Sequence, residues 1–214
     1  MVDNQLVESI VNEVVKRVRD EACIEIEASG KHVHLNREAI DALFGPGYQL
    51  TKAKDLSQPG QYACKERVTL IGPKGALHNV VVLGPERKES QVEVSQTDAV
   101  VLGIPVPVRE SGKLEGTPGI VIASGSNMIR LERGLIAAQR HIHVKAEDAA
   151  KYNVENGEIV QVKVYGKRPL IFDDVLVRVS PNYETYMHID YDEANACGFV
   201  KGTKGKILKK TNED

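Results

Sequence analysis

The sequence lacks features that several large classes of protein require. Its 214 residues contain no tryptophan and only three cysteines, and the net charge at pH 7 is only −2. A charge this close to zero, without a block of basic residues, argues against binding to nucleic acid or to a membrane surface. No segment is long and apolar enough for a membrane span, and the charged N-terminus has no apolar core of the kind a secretory signal needs. We therefore expect a cytoplasmic protein with neither nucleic-acid nor membrane partners.

The three cysteines do not form a recognisable framework. Cys23, Cys64 and Cys197 are odd in number and far apart, which is typical of a reducing compartment rather than of a disulfide scaffold. Neither a Cys-x-x-Cys nor a Cys-x-x-His motif occurs, so a zinc knuckle is excluded. None of the three lies in a motif with a general base, and we interpret all of them as structural.

Two copies of one short pattern dominate what the sequence does contain. Residues 31–35 read KHVHL and residues 140–144 read RHIHV, with a constant offset of 109 residues between His32 and His141 and between His34 and His143. Histidines at i and i+2 of a strand project to the same side and can bind one metal ion. One such pair alone fits a polar strand face equally well, but two aligned copies favour a metal site. The repeat predicts a duplicated unit whose copies face each other.

The remainder of the chain alternates between short strands and turns. Residues 3–20 predict an amphipathic helix, and residues 37–44 a short helix capped by Asn36. Residues 72–75, with sequence GPKG, predict a hairpin, and a further short helix is expected to begin near Asp192. Further strands are predicted at residues 91–95, 99–108, 119–123, 141–144, 159–165, 170–179 and 186–191.

Many short strands with few helices predict a mainly β protein. Together with the repeat, this pattern predicts two small β-barrel domains with short capping helices, related by internal duplication, and preceded by the N-terminal amphipathic helix. The length of the chain allows either one large domain or two small ones.

Three further residues are candidates for the same site. Glu93 alternates with Val92 and Val94, so it shares a strand face with other polar groups, although a solvated face would look the same. Arg87 follows a Gly-Pro pair, where a guanidinium could bind phosphate or carboxylate. His188 lies in a period-two segment, and a lone histidine of this kind is more often a hydrogen-bonded strand residue than a ligand.

Taken together, these motifs resemble the phosphate propanoyltransferase family, the PduL-type phosphotransacylases associated with bacterial microcompartments, propanediol degradation and acetate metabolism. The resemblance extends over residues 22 to 200. It rests on five motifs in the expected order: residues 29–35 (SGKHVHL), 84–87 (GPER) with 91–95 (QVEVS), 140–143 (RHIH), 188–190 (HID) and 192–195 (DEAN).

The resemblance implies a reversible transfer of a short acyl group between coenzyme A and inorganic phosphate at a two-zinc site. It implies that one zinc is bound by His32, His34 and Glu93 and accepts the coenzyme A sulfur, and that a second is bound by His141, His143, His188 and water. An alternative is that Glu93 belongs to the other zinc or bridges both. Arg87 would bind phosphate. Weaker matches for coenzyme A contacts are Lys54, Ser111 and Asn195.

The resemblance also implies domains that are interleaved in sequence. Residues 1–20 would form an N-terminal extension, residues 30–139 the first barrel, and residues 21–29 with 140–208 the second. In microcompartment members such an extension is an encapsulation peptide that binds shell or cargo proteins. The same helix could instead contribute to oligomer contacts or pack on its own barrel. We also expect a homo-oligomer, taken as a dimer.

The residues alone do not exclude two other functions. Two neighbouring metals also suit a hydrolase that uses a bound hydroxide. A non-catalytic, metal-stabilised module is the other alternative, although such a module would need neither Arg87 nor the 192–195 motif. The residues do not distinguish acetyl from propanoyl, nor zinc from nickel or iron, since all three metals accept imidazole ligands.

Overall fold

The computed structural model of the chain describes Val11 and residues 23–209. Apart from Val11, the helix predicted over residues 3–20 lies outside the described residues. Four α-helices occur in the described part, α1 (Arg37–Phe44), α2 (Gln96–Leu102), α3 (Ala149–Tyr152), which follows a 3-10 turn (Ala146–Asp148), and α4 (Tyr191–Cys197). None of the helices in this part is both long and apolar enough to cross a membrane.

Fifteen strands within the described residues carry the fold, which is mainly β as predicted. They are β1 (Cys23–Ala28), β2 (His32–His34), β3 (Lys52–Asp55), β4 (Tyr62–Ile71), β5 (Ala76–Gly84), β6 (Gln91–Glu93), β7 (Val108–Arg109), β8 (Ile120–Ser124), β9 (Asn127–Leu131), β10 (Leu135–Ala138), β11 (His141–Lys145), β12 (Ile159–Val164), β13 (Leu170–Ser180), β14 (Tyr186–Ile189) and β15 (Lys204–Leu208).

Six of these strands form a closed barrel in the order β1, β14, β11, β13, β12, β15, with β15 pairing back onto β1. Alternate side chains of each strand point inward, as the period-two pattern predicts. The barrel core is formed by buried aliphatic residues that include Ile24, Ile26, Ile142, Val144, Val160, Val162 and Val177. A closed barrel leaves no free strand edge, so every strand has two neighbours.

The other nine strands form a curled, half-barrel sheet with its own core. Its strand order is β7, β10, β6, β2, β5, β4, β8, β9, with β3 attached to β4. The apolar face of α1 covers this core with Ile40 and Leu43, both nearly fully buried. The side chain of Asn36 accepts a hydrogen bond from the Ala39 backbone at 3.0 Å, which confirms the predicted helix cap. The hairpin predicted at residues 72–75 joins β4 to β5 and is also confirmed.

The internal duplication is present in the pairing of the strands. The strand β2 runs parallel to β5 and antiparallel to β6, and β11 runs parallel to β13 and antiparallel to β14. The strand that precedes each His-x-His strand crosses to the other sheet, because β1 pairs with β14 and β10 pairs with β6. Each sheet therefore contains one strand from the opposite half of the repeat, and this exchange brings the two His-x-His strands close together. The domain boundaries given above stay a prediction.

The helices that follow β6 and β14 repeat the same design at an offset of 95 residues. Ser95 caps α2 in a reciprocal capping box with Asp98, and Asp190 caps α4 in the same way with Glu193. Both helices end at a glycine in the left-handed conformation. The basic residue before each first histidine binds the third helical residue, since Lys31 pairs with Asp98 at 3.1 Å and Arg140 with Glu193 at 2.7 Å.

The prediction of a strand over residues 99–108 was wrong. Residues 96–102 form α2, and only Val108 and Arg109 at the end of the segment are extended. The β-branched residues Val100 and Val101 suggested a strand, but the capping box at Ser95 starts a helix that turns them outward, where they are 76% and 45% exposed. The local hydrogen bonds of the cap therefore outweigh the β propensity of two valines.

Candidate metal centre and active site

A cleft of about 630 Å³ is lined by residues of both sheets, including all six predicted metal ligands. The strand exchange accounts for this arrangement, because β6 and β14 are each held between a His-x-His strand and a crossing strand. The six ligands come from four strands: β2 and β6 in the curled sheet, and β11 and β14 in the barrel.

His32, His34 and Glu93 converge in the curled sheet. His32 lies directly opposite Glu93 in the antiparallel β2–β6 pair, and its Nε2 atom is 3.4 Å from a carboxylate oxygen of Glu93. The ligand atoms of the three residues all lie within 4.8 Å of one another. In the part of the chain that the structure describes, no other set of three His, Cys, Asp or Glu residues converges this closely.

His141, His143 and His188 form the corresponding group in the barrel. His141 lies opposite His188 in the antiparallel β11–β14 pair, the position that His32 and Glu93 occupy in the curled sheet. The ring centroids are 4.7 Å apart for His141 and His143, 5.3 Å for His141 and His188, and 5.0 Å for His143 and His188. The group is more open than the first, but all three rings line the same cleft.

Backbone hydrogen bonds orient the first histidine of each pair identically. The Nδ1 atom of His32 lies 2.8 Å from the carbonyl oxygen of Gly30, and the Nδ1 atom of His141 lies 2.8 Å from that of Gln139. A ring whose Nδ1–H donates to a carbonyl presents Nε2 as the metal-binding atom, which is the usual arrangement around metal-bound histidine.

Each of the other three candidate histidine ligands has a ring nitrogen without a hydrogen-bond partner in the protein, and this nitrogen could bind a metal ion. The Nδ1 atoms of His34 and His143 and the Nε2 atom of His188 are buried without a hydrogen bond. A buried polar atom without a partner costs about 1–3 kcal/mol, so such atoms indicate a missing ligand. On the opposite side of the His188 ring, Nδ1 lies 3.8 Å from a carboxylate oxygen of Glu27, which also accepts a hydrogen bond from Ser57. The donor set therefore fits metal ions.

Burial determines the protonation of these rings. It lowers the pKa of His143 to about 2 and that of His188 to about 3, with repulsion from His141 adding to both shifts. Burial also lowers the pKa of His34 well below its ordinary value. At neutral pH these three imidazoles are uncharged, which is the form that binds metal.

His32 and Glu93 form a charged pair instead. Burial by itself raises the pKa of Glu93, but the charge and hydrogen bond of His32 hold that pKa well below its usual range. Conversely, burial lowers the pKa of His32, while the charge and hydrogen bond of Glu93, together with the Gly30 carbonyl, raise it above its ordinary value. Glu93 is thus an ionised carboxylate, which is the form that binds a metal ion, and His32 would release its proton on binding the same ion.

Arg87 and Ser111 lie in the same cleft as the six ligands. The backbone of Arg87 donates to Leu35 at 2.9 Å, and its Nη1 atom is 3.3 Å from the Ser111 hydroxyl. Gln91, which is 1% exposed, donates to Ser111 at 2.8 Å and also to Glu93. Gln91 therefore connects the candidate phosphate-binding arginine to a candidate metal ligand. The only feature of the sequence that pointed to Gln91 was its position on the same strand face as Glu93.

Two predicted contact residues lie elsewhere. Lys54 is exposed on β3, and Asn195 is exposed on α4; neither lines the cleft. Their role in binding coenzyme A stays a prediction. Arg178 and Tyr183 do line the cleft, but no motif in the sequence pointed to them.

Cys64 and Cys197 are free thiols, and none of the three cysteines lines the cleft. Cys64 and Cys197 are fully buried, and burial raises the pKa of the Cys64 thiol to about 11. A thiol of this kind is a poor nucleophile. The chemistry of the cleft therefore depends on imidazole, carboxylate, guanidinium, hydroxyl and amide groups.

Comparison with known proteins defines the class to which this fold and cleft belong. The sequence profile described as phosphate propanoyltransferase matches residues 25–200. A phosphate propanoyltransferase of Enterococcus faecalis is 67% identical over 202 residues, 94% of this chain and 96% of its own length. One of Listeria monocytogenes is 61% identical over 209 residues, 98% of each chain, and one of Thermotoga maritima is 55% identical over 188 residues, 87% of this chain and 90% of its own.

The protein is therefore an enzyme of the acyltransferase class. The chain belongs to the phosphate propanoyltransferase family, as its motifs indicated.

Proposed function

We propose that the protein is a phosphotransacylase that catalyses the reversible reaction acyl-CoA + phosphate = acyl phosphate + CoA, with propanoyl as the acyl group. The observation that carries this proposal is the position of Arg87. It lies in one cleft with six candidate metal ligands, and it forms no salt bridge with any residue in the described part of the chain. An unpaired guanidinium beside a metal centre is suited to an anionic substrate.

We further propose two zinc ions as the cofactors. His32, His34 and Glu93 would hold one, and His141, His143 and His188 the other, with water completing its coordination. The hydrogen bonds support Nε2 of His32 and His141 as ligand atoms, and the unpartnered nitrogens support Nδ1 of His34 and His143 and Nε2 of His188. Zinc with an open coordination position lowers the pKa of a thiol and stabilises the corresponding thiolate.

The side chains of the cleft would bind and orient the reactants. In the forward direction a phosphate oxygen forms a bond to the carbonyl carbon of the thioester, the carbon–sulfur bond breaks, and the proton of hydrogen phosphate ends on the sulfur of coenzyme A. Arg87 neutralises the phosphate and aligns it with the carbonyl carbon. Ser111 and Gln91 hold the guanidinium in position through the hydrogen bonds described above. No covalent acyl-enzyme is required.

Coenzyme A is much larger than its reactive thiol, so its binding residues need not all lie in the cleft. We propose that Ser111 contacts the molecule near the acyl group. Lys54 and Asn195, both exposed, would contact parts that are remote from the thiol. We propose a homodimer as the oligomeric state.

A thiol-release assay tests the proposed reaction. The metal-loaded enzyme is mixed with propanoyl-CoA or acetyl-CoA, with and without phosphate, and free coenzyme A is measured. We expect release that depends on phosphate, because phosphate is the acceptor of the acyl group. Release at the same rate without phosphate would identify a thioester hydrolase instead, and no release at any metal content would favour a non-catalytic metal protein.

We also propose that residues 1–19 act as an encapsulation segment, which would place the enzyme in a microcompartment in the cytoplasm. Deleting residues 1–19 is expected to leave a soluble enzyme with a kcat within about twofold of the full chain, because no candidate ligand lies in that segment. Activity and solubility of the deleted enzyme are compared with those of the full chain. Loss of either would show that the segment stabilises the enzyme itself.

A further inference from the structure

A second arginine, Arg178, lines the cleft that holds Arg87. Arg178 lies on β13, which runs parallel to β11, and it is paired with His143 in the register of these two strands. Arg87 follows β5 in the curled sheet, whereas Arg178 belongs to the barrel. The two guanidinium groups therefore reach the cleft from different halves of the molecule.

The acidic residues of the cleft already have partners within the protein. Their hydrogen-bond or ion-pair partners are Ser57 for Glu27, His32 and Gln91 for Glu93, Lys31 for Asp98, and the backbone of Glu193 for Asp190. The only lysine among the residues that line the cleft is thus neutralised. Positive charge without a protein counter-ion remains on Arg87 and Arg178.

The side chain of Arg178 forms neither a hydrogen bond nor a salt bridge with any residue that the structure describes; its contact is with an aromatic ring. Its guanidinium carbon lies 6.0 Å from the centre of the Tyr183 ring, and that ring lies 4.2 Å from the centre of the His143 ring. Tyr183 therefore contacts both Arg178 and a candidate metal ligand. Stacking on an aromatic face restrains a guanidinium and leaves its N–H groups available to bind an anion.

The two arginines also affect each other electrostatically. Burial lowers the pKa of Arg87, Glu93 opposes that effect, and the positive charge of Arg178 lowers the pKa further. Two like charges that line one cleft repel each other. An anion bound between them would remove that repulsion.

We propose that Arg178 is a second anion-binding residue, which contacts the phosphoryl group of phosphate or acyl phosphate from the barrel side while Arg87 contacts it from the other. This inference rests on the proposed phosphotransacylase function and adds a residue to it. A phosphate dianion has enough oxygen atoms to accept hydrogen bonds from two guanidinium groups.

The test compares Arg178→Gln and Arg178→Lys with the wild-type enzyme. Initial rates are measured against phosphate concentration with propanoyl-CoA, and in reverse against acyl phosphate and against coenzyme A. Loss of a charge-assisted hydrogen bond is expected to raise the KM for phosphate and acyl phosphate by about tenfold to a hundredfold in Arg178→Gln. The KM for coenzyme A should stay within about twofold. Arg178→Lys should recover part of the loss, because lysine restores the charge but not the planar fork.

Two controls separate this role from a structural one. Arg130→Gln removes a guanidinium from the exposed strand β9 and should leave all constants unchanged. Tyr183→Leu removes the ring that restrains Arg178 and should raise the KM for phosphate, and Tyr183→Phe, which keeps the ring, should raise that KM less. Phosphate should also raise the Tm of the metal-loaded wild-type enzyme, and Arg178→Gln should remove most of that shift without changing metal content.

An unchanged KM for phosphate, together with an unchanged phosphate-dependent Tm shift in Arg178→Gln, would overturn the inference. So would a loss of bound metal equal to the loss of activity, since that would assign Arg178 a structural role beside His143. If Arg178→Gln does not fold, Arg178→Lys and Tyr183→Leu decide the question. The proposed function fails separately, if the wild-type enzyme releases coenzyme A without phosphate.

Discussion

Arg87→Ala is expected to lower kcat/KM for phosphate by about a hundredfold or more, because in the proposed reaction the guanidinium both neutralises the phosphate and orients it toward the carbonyl carbon. The loss should appear in both KM and kcat, since orientation acts in the transition state as well as in binding. Arg87→Lys should recover only part of the activity. A lysine replaces the charge, but it cannot replace the hydrogen bond from Nη1 to Ser111 in the same geometry.

Steady-state kinetics at varied phosphate, with elemental analysis of each variant, checks this expectation. The metal content should stay at the wild-type value, because Arg87 is not among the candidate ligands. Arg133→Ala is a matched control, since Arg133 is exposed and pairs with the exposed Glu89. If Arg87→Ala keeps the wild-type dependence on phosphate, the phosphate site lies elsewhere.

The second large effect, a loss of bound metal and of activity, is expected when a candidate metal ligand is replaced. Wild-type enzyme purified without chelator should contain two metal equivalents per chain. His34→Ala should lose the ion held with His32 and Glu93, and His143→Ala the ion held with His141 and His188. Each variant should retain about one equivalent and lose at least a hundredfold in activity, because each removes a direct metal ligand. The secondary structure should persist, because both hydrophobic cores remain intact.

Elemental analysis, activity and circular dichroism on the same preparations test this expectation. His78→Ala is the matched control, because His78 lies outside the cleft and its ring is hydrogen-bonded to the hydroxyl of Thr69. It should keep both metals and full activity. One equivalent or none in the wild-type enzyme would argue against two metals, and wild-type rates in His34→Ala would remove that residue from the site.

Much of the candidate site was predictable from local sequence, because its ligands occur as short patterns on strands. A His-x-His pair needs only an extended backbone to point both rings the same way, and the repeat after 109 residues identified both pairs at once. The alternation of its strand placed Glu93 on a polar face, but its role as a ligand, like that of His188, came from the resemblance to the family. The cap at Asn36 and the hairpin at residues 72–75 were equally local and were confirmed.

Local patterns failed where two of them competed. Val100 and Val101 favour a strand, yet the capping box that begins at Ser95 makes the same segment helical. Lys54 and Asn195 lie outside the cleft, and their contacts with coenzyme A stay a prediction.

The sequence by itself determined the strand periodicity and the duplicated unit with its two His-x-His pairs, because each depends on neighbours within a few residues. Only the tertiary structure decided which strands pair with β6 and β14, how closely His32, His34 and Glu93 converge, and that Arg178 enters the cleft. These features depend on strand pairing between residues far apart in the chain. Such pairing is selected by the burial of both cores together, and no local pattern encodes it.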